Sequence, residues 1–172
     1  DRNAVNENGK TAVLLAIEEY KPKLAELLLQ NGSVHDFTRR NENNRMLIHE
    51  AAFTGDIKLL TTLIDMGQSP YESDPLNGMN VLHYAALGQK KEVFELLSKK
   101  KIEPAIINSE DLKGETVLSI SCTLNNWELV KLLISKMGSE INQVSQVDGL
   151  SIVHRAARDN NREILDKMAG LK

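Results

Sequence analysis

Histidine, cysteine and paired acidic residues are the side chains of this chain that could support metal binding or catalysis. Ring nitrogens of histidine and a cysteine thiolate can hold zinc, and a thiolate beside a base can act as a nucleophile. The single cysteine is Cys122, and three of the four histidines share one sequence context. These histidines are His49, His83 and His154. The spacing of these histidines indicates whether they bind a metal or catalyse a reaction, or only stabilise the fold.

The spacing of the histidines is part of a repeat that runs along the whole chain. The repeat is best aligned on the small residue two positions after the histidine. These small residues follow one another at intervals of 35, 34, 36 and 35 positions. They are Ala16, Ala51, Ala85, Ser121 and Ala156. A fixed period of this length is typical of a solenoid, in which each unit packs only on its neighbours.

Each of the five units begins with a turn and a helix start. The residue seven positions before the small residue is suited to a left-handed backbone conformation. These turn residues are Gly9, Asn44, Gly78, Gly114 and Gly149. Two positions later stand Thr11, Met46, Asn80, Thr116 and Ser151. All of these except Met46 can cap a helix with a side-chain oxygen, so a short helix is predicted to follow each turn.

A second helix follows in each unit, with apolar residues at positions i, i+3 and i+4, as in Leu24, Leu27 and Leu28. Each helix is expected to be about ten residues long, which is too short for stability in isolation. Packing between units must therefore hold the helices. Small residues fill the first helix and leucines fill the second, so the units are wedge-shaped. We expect the first helices and the turns to line a concave face.

In these features the chain resembles the ankyrin-repeat family. The motifs that carry the resemblance are NGKTAVLLAI from Asn8, NNRMLIHEAA from Asn43, NGMNVLHYAA from Asn77, KGETVLSISC from Lys113 and DGLSIVHRAA from Asp148. The consensus proline is absent from all five units, and Leu14 and Ser119 stand at the histidine position. A tetratricopeptide array has a similar period but lacks a glycine turn with a helix cap between units.

The resemblance implies a mainly α fold, a curved solenoid of five stacked repeats. Each repeat would consist of a β-hairpin-like turn and two antiparallel helices. Residues 1–172 would form one ankyrin-repeat domain. The expected repeats cover about 8–42, 43–76, 77–111, 112–147 and 148–172.

The repeat argues against metal binding and catalysis by the histidines and Cys122. Neighbouring helices pack roughly 8 to 10 Å apart, whereas zinc needs each nitrogen at about 2.1 Å, so histidines of successive units cannot share an ion. The resemblance implies instead that they form hydrogen bonds within and between turns. Cys122 stands where three sister units have alanine, and no phosphate-binding glycine loop is present. We therefore expect no enzyme activity, no metal, no cofactor and no small-molecule substrate.

Composition excludes further classes of partner. The formal net charge of -3 gives no overall positive field for nucleic acid, and no apolar run reaches the length of about 20 residues that a membrane helix needs. A single cysteine suits an intracellular location, cytoplasmic or nuclear, or the host cytoplasm if the protein is a secreted bacterial effector. Because the chain begins at Asp1, we expect it to be part of a longer protein.

Recognition is predicted at the positions that vary between units. An apolar strip is expected on the concave face. The loops beside it, called fingers, are expected to differ from one another in charge. The predicted protein-binding residues are Phe53, Leu87, Leu124 and Arg158 on the first helices, Trp127 on a second helix, and Phe37, Arg39, Arg40 and Tyr71 on the fingers. Alternatively, these side chains pack against their own repeats.

The predicted function is a non-catalytic module that binds a protein or peptide on its concave face and loop fingers. The alternative is a substrate-positioning or regulatory region of a larger enzyme, channel or bacterial effector protein. Additional domains in the full-length protein would favour this alternative.

Overall fold

The computed structural model describes residues 4–19, 21–31, 37–38, 40–41, 43–99 and 102–170. This part of the chain contains eleven α-helices and isolated β-bridges. The helices are α1 (Ala12–Glu18), α2 (Pro22–Gln30), α3 (Leu47–Thr54), α4 (Ile57–Asp65), α5 (Val81–Leu87), α6 (Lys91–Ser98), α7 (Pro104–Ile107), α8 (Val117–Thr123), α9 (Trp127–Leu132), α10 (Ile152–Arg158) and α11 (Arg162–Ala169).

Ten of these helices form the five predicted pairs. The pairs are α1 with α2, α3 with α4, α5 with α6, α8 with α9, and α10 with α11. The predicted α solenoid is therefore confirmed. Two local features were not predicted. Helix α7 is an extra turn between the third and fourth pairs, and α9 continues as a π-helical segment, Leu133–Met137.

The turn before each first helix has the predicted geometry. Backbone φ is positive at all five turn residues, with values of 71°, 59°, 76°, 75° and 69° along the chain. In three of the units, an isolated antiparallel bridge closes the hairpin-like turn. These bridges join Val5 to Thr11, Arg40 to Met46 and Glu110 to Thr116. We call the hairpin-like turn of each unit its finger.

Helix caps follow the predicted pattern. The Thr11 hydroxyl accepts a hydrogen bond from the backbone N–H of Leu14 at 3.2 Å, and the Asn80 side chain accepts one from Leu82 at 3.0 Å. Thr116 and Ser151 cap α8 and α10 in the same way, whereas Met46 provides no side-chain cap for α3. Four of the five first helices thus gain a satisfied N–H group at a terminus that would otherwise leave donors unpaired.

The core lies along the interfaces between neighbouring pairs. The first helices bury small side chains at the centre of the stack. These are Ala51, Ala52, Ala85, Ala86, Ser121 and Cys122. The second helices bury larger ones, including Leu60, Leu63, Phe94, Leu97 and Leu129. The paired helices are only six to nine residues long, so this burial must supply most of their stability.

Gly88 lies at a close approach between two first helices, α3 and α5. It follows the last residue of α5 with an ordinary φ of -76°, so its backbone conformation does not require glycine. A Cβ atom at this position, however, would collide with the backbone oxygen of Phe53 on α3. Glycine is therefore required here by the packing of α5 against α3.

We predict that Gly88→Ala destabilises the protein by about 1 to 3 kcal/mol, because backbone of a packed helix must move to admit the methyl group. Gly170→Ala is the matched control. Gly170 also follows a helix with a right-handed conformation, and a Cβ atom there would meet its nearest atom at 3.6 Å. Urea unfolding of both variants measures the difference. Equal stability of the two would contradict the close approach.

Candidate protein-interaction surface

The histidine at the repeated position serves as part of a helix cap in two units. In α5, the Nδ1 atom of His83 accepts a hydrogen bond from the backbone N–H of Asn80 at 3.3 Å. The Nε2 atom of His83 lies 3.2 Å from the carbonyl oxygen of Ser109 in the next unit. A carbonyl oxygen can only accept, so Nε2 donates to Ser109. Burial lowers the pKa of His83, which favours the neutral ring.

The other two histidines differ from His83 in their contacts. His154 accepts from the backbone of Ser151 at 3.2 Å, but its side chain is exposed. His49 follows the uncapped Met46, and its Nδ1 atom has no hydrogen-bond partner among the described residues. The expected hydrogen bond is therefore wrong for His49. Instead, its ring stacks on Tyr84 of the next unit with the centroids 4.5 Å apart.

A buried ion pair joins the fingers of the second and third units. The guanidinium of Arg40 donates two hydrogen bonds to the carboxylate of Asp74, at 2.8 and 2.6 Å. The Asp74 side chain is fully buried and also accepts from the backbone of Leu76 and the hydroxyl of Tyr84. The hydrogen bonds from Arg40 lower the pKa of Asp74 to about 2. The bidentate geometry offsets the cost of removing the Asp74 carboxylate from water, while the Arg40 side chain stays 21% exposed.

This ion pair corrects the predicted role of Arg40. From the sequence, Arg40 is expected to contact a partner from a finger. The side chain is in fact mostly buried and committed to Asp74, 34 residues further on. The charge of Arg40 therefore helps to hold the second and third fingers together. Arg39, predicted to act with it, lies outside the described residues.

Equivalent positions in the last two fingers are also in contact. Ser145 donates a hydrogen bond to the carboxylate of Glu110 at 3.1 Å, and these two residues occupy the position that Arg40 and Asp74 hold in the earlier units. Arg155 on α10 adds a second link. It pairs with the carboxylate of Glu115 and donates to the carbonyl oxygen of Gly114 at 3.0 Å.

The predicted apolar strip on the first helices is only partly open. Phe53 and Leu87 are half-buried and pack against the core. The guanidinium carbon of Arg45 lies 3.5 Å from the centroid of the Phe53 ring, so a cation covers one face of this ring. Leu124 is 36% exposed at the end of α8. The strip is therefore interrupted, and part of it packs against the repeats as the alternative interpretation required.

The remaining predicted site residues are dispersed. Trp127 is half-buried and donates from its indole nitrogen to Glu163 in the next unit at 3.3 Å. Arg158 is paired with its neighbour Asp159 at 2.8 Å. Tyr71 is half-buried, and its hydroxyl oxygen has no partner among the described residues.

A cleft of about 390 Å³ lies between the second and third fingers. Phe37 and Arg40, two of the predicted finger residues, contribute to its walls. Met46, Ile48 and Leu76 add apolar surface. Binding of a protein or peptide at this cleft stays a prediction.

One set of exposed residues on the fingers was not predicted from the sequence. The position nine residues before the aligned small residue is apolar in the last three units and exposed in each. The residues are Leu76, Leu112 and Val147, with exposed fractions of 59%, 64% and 59%. The repeat alignment alone could have revealed them, because their spacing of 36 and 35 positions matches that of the small residues. We call these three residues the fingertip row.

Residues elsewhere that could take part in catalysis or metal binding are buried or do not cluster. Cys122 is fully buried, and burial raises the pKa of its thiol to about 12, which keeps it protonated. In the described ranges, no group of three or more His, Cys, Asp or Glu side chains could hold a metal ion. No helix in this part of the chain is long and apolar enough to cross a membrane.

A family model described as ankyrin repeats in three copies matches residues 48–145 and 82–170. The chain belongs to the ankyrin-repeat family. Ankyrin repeats in general mediate interactions between proteins and are not catalytic.

The chain is similar to parts of several curated relatives. Protein glp-1 of Caenorhabditis elegans is 29% identical over 98% of the chain and 14% of its own length. A putative ankyrin repeat protein of Rickettsia felis is 35% identical over 54% of the chain and 42% of its length. Human transient receptor potential cation channel subfamily A member 1 is 28% identical over 88% of the chain and 13% of its length. The chain thus spans less than half of each of these relatives.

We predict that Arg40→Leu destabilises the ankyrin domain by about 3 to 5 kcal/mol, because Asp74 would remain buried without its cation. Arg158→Leu is the control, since the Arg158–Asp159 pair is exposed and screened by solvent, so its loss should leave the stability nearly unchanged. Chemical denaturation compares the two variants. A loss below about 1 kcal/mol for Arg40→Leu would show that the buried pair is not a structural requirement.

We also predict that the domain loses stability as the pH falls from 6.5 towards 4. Burial lowers the pKa of His49 to about 4. Between these values the unfolded chain binds a proton at His49 that the folded chain does not, so the free energy of unfolding falls by up to about 1.4 kcal/mol per pH unit from this group. In His49→Gln this contribution is absent. Urea unfolding at pH 6.5, 5.5 and 4.5 should therefore give a shallower slope for the variant, and parallel slopes would refute the assignment.

Proposed function

We propose that this ankyrin-repeat domain is a non-catalytic module that binds a protein or peptide through its concave face and loop fingers. The observation that carries the proposal is a contrast between two kinds of position. Positions that repeat between units are buried or bonded into the frame, such as His83 and Cys122. Several positions that vary between units are exposed and apolar, such as Leu112 and Leu124.

The exposed apolar side chains favour a macromolecular partner over a small substrate. Leu112 is 64% exposed, and Leu124, at the end of α8, is 36% exposed. Single exposed leucines are common on proteins, but several that border one surface form a patch of the kind that protein interfaces bury. The exposed Arg158–Asp159 pair has the charged character typical of the polar rim of such an interface.

A second candidate function is the positioning of a neighbouring domain within a larger enzyme, channel or bacterial effector. The lengths of the relatives favour it, because the chain covers 13% to 14% of glp-1 and of the cation channel subunit. In that case the exposed positions would contact another part of the same polypeptide. Binding of the isolated domain to the rest of the full-length protein would distinguish this function from recognition of a separate partner.

The test uses a binding protein captured with the intact domain from a cell lysate. The double variant Phe53→Ala with Leu87→Ala should bind this protein about 2 kcal/mol more weakly, because central apolar anchors carry much of the energy of an interface. Calorimetry measures the affinity. Since both side chains are half-buried, a thermal melt must show that the variant is still folded.

Leu27→Ala is the control. Leu27 is 53% exposed on α2, a second helix outside the predicted concave face. An unchanged affinity for the folded double variant would exclude Phe53 and Leu87 from the interface.

A further inference from the structure

The fingertip row presents three apolar side chains to solvent from a rigid backbone. The N–H of Leu76 bonds to the carboxylate of Asp74 at 3.0 Å, and the N–H of Leu112 bonds across to the carbonyl oxygen of Asn77 at 2.9 Å. The N–H of Val147 bonds to the hydroxyl of Ser145 at 3.1 Å. These bonds hold the three residues in place, so a ligand that contacts them loses little affinity to ordering of the loops.

The surroundings of the fingertip row are acidic. The finger segments 72–78, 110–115 and 140–148 contain two, three and two acidic residues, and Lys113 is their one basic residue. Arg40 and Arg155 reach into these segments and pair with three of the acids. The other four acidic residues have no ion pair among the described residues. They are Glu72, Glu110, Asp111 and Glu140.

Two of these four acids carry exposed negative charge in the finger segments. Glu72 precedes Leu76 by four residues and Glu140 precedes Val147 by seven, and both are exposed. Asp111 is only 4% exposed, so its charge contributes through the local field and not by direct contact. A ligand that covers the three apolar side chains would therefore gain from positive charges between its apolar groups.

The distance between fingers limits the conformation of such a ligand. Stacked helices are roughly 8 to 10 Å apart, and successive fingers follow the helices. An extended polyproline II segment advances about 3.1 Å per residue with three residues per turn, so every third side chain lies on one face about 9 Å from the next. A segment with an apolar residue at every third position therefore matches the fingertip row.

We propose that the fingertip row binds an extended basic segment of a protein, with an apolar residue at every third position and lysine or arginine between. This proposal rests on the proposed function and specifies the chemistry of the partner. The apolar contact spans the third to fifth units. It ends there because the equivalent positions of the first two units are Glu7 and Glu42, which are acidic.

The probe for the test is a fluorescein-labelled peptide of four Leu-Lys-Arg triplets. Fluorescence anisotropy should show binding to the 172-residue chain that weakens as salt is added. Peptides of four Leu-Glu-Asp or four Ser-Lys-Arg triplets should bind at least about tenfold more weakly, because each lacks one of the two required features.

Substitutions locate the contact on the domain. Leu112→Ser, at the centre of the row, should weaken binding of the Leu-Lys-Arg peptide at least about tenfold, whereas Leu27→Ser on α2 should leave it unchanged. Both side chains are more than half exposed, so both variants should fold. Combining Glu72→Gln with Glu140→Gln should reduce affinity at low salt and have less effect at high salt.

Three results would overturn the proposal. One is equal weakening by Leu112→Ser and Leu27→Ser, and another is equal binding of the acidic peptide. The third is a concentration-dependent dimer that Leu112→Ser abolishes, which would identify a second copy of the chain as the occupant. If a captured partner is sensitive to the Phe53 and Leu87 substitutions but not to Leu112→Ser, the fingertip proposal fails while the proposed function stands.

Discussion

Close approach between neighbouring first helices is the constraint on which the structure depends. Helices of six to nine residues are not stable alone, so each pair must bury its apolar faces against the next pair. The first helices can approach only because their central residues are small, as at Ala51, Ala85 and Ser121. At Gly88 even a methyl group would collide with the neighbouring backbone. The residues that can contact a partner are those that remain exposed after the helix pairs have stacked.

Several polar residues inside the stack form local or inter-unit bonds. His83 contributes to a helix cap and reaches the next unit through Ser109, and His154 contributes to the equivalent cap of the last unit. Arg40 and Asp74 carry full charges in a mostly buried position, and their bidentate hydrogen bonds offset the desolvation. Groups that resemble catalytic residues in the sequence are thus explained by the needs of the frame.

Local features of the fold could be predicted from the sequence because they depend on single residue types at fixed spacing. The left-handed turn residues, the caps at Thr11 and Asn80, and the absence of a cap at Met46 are all confirmed. Contacts between units were not predictable in the same way. The pairing of Arg40 with Asp74 and the covering of Phe53 by Arg45 depend on the conformations of long side chains. Leu112 was not predicted because exposure of an apolar side chain at a finger depends on how the finger folds and not on residue type alone.

The buried pair between the second and third fingers also makes the order of the units matter. Repeat arrays often change in evolution by loss or duplication of whole units. Loss of the second unit would bring Val5 next to Asp74 and leave a buried carboxylate without a cation. Loss of the third unit would bring Arg40 next to Glu110, whose carboxylate could still form an ion pair with the guanidinium. Units that share one fold are therefore not interchangeable. The residue at the finger position of Arg40 and Asp74 limits which unit can be the neighbour of another.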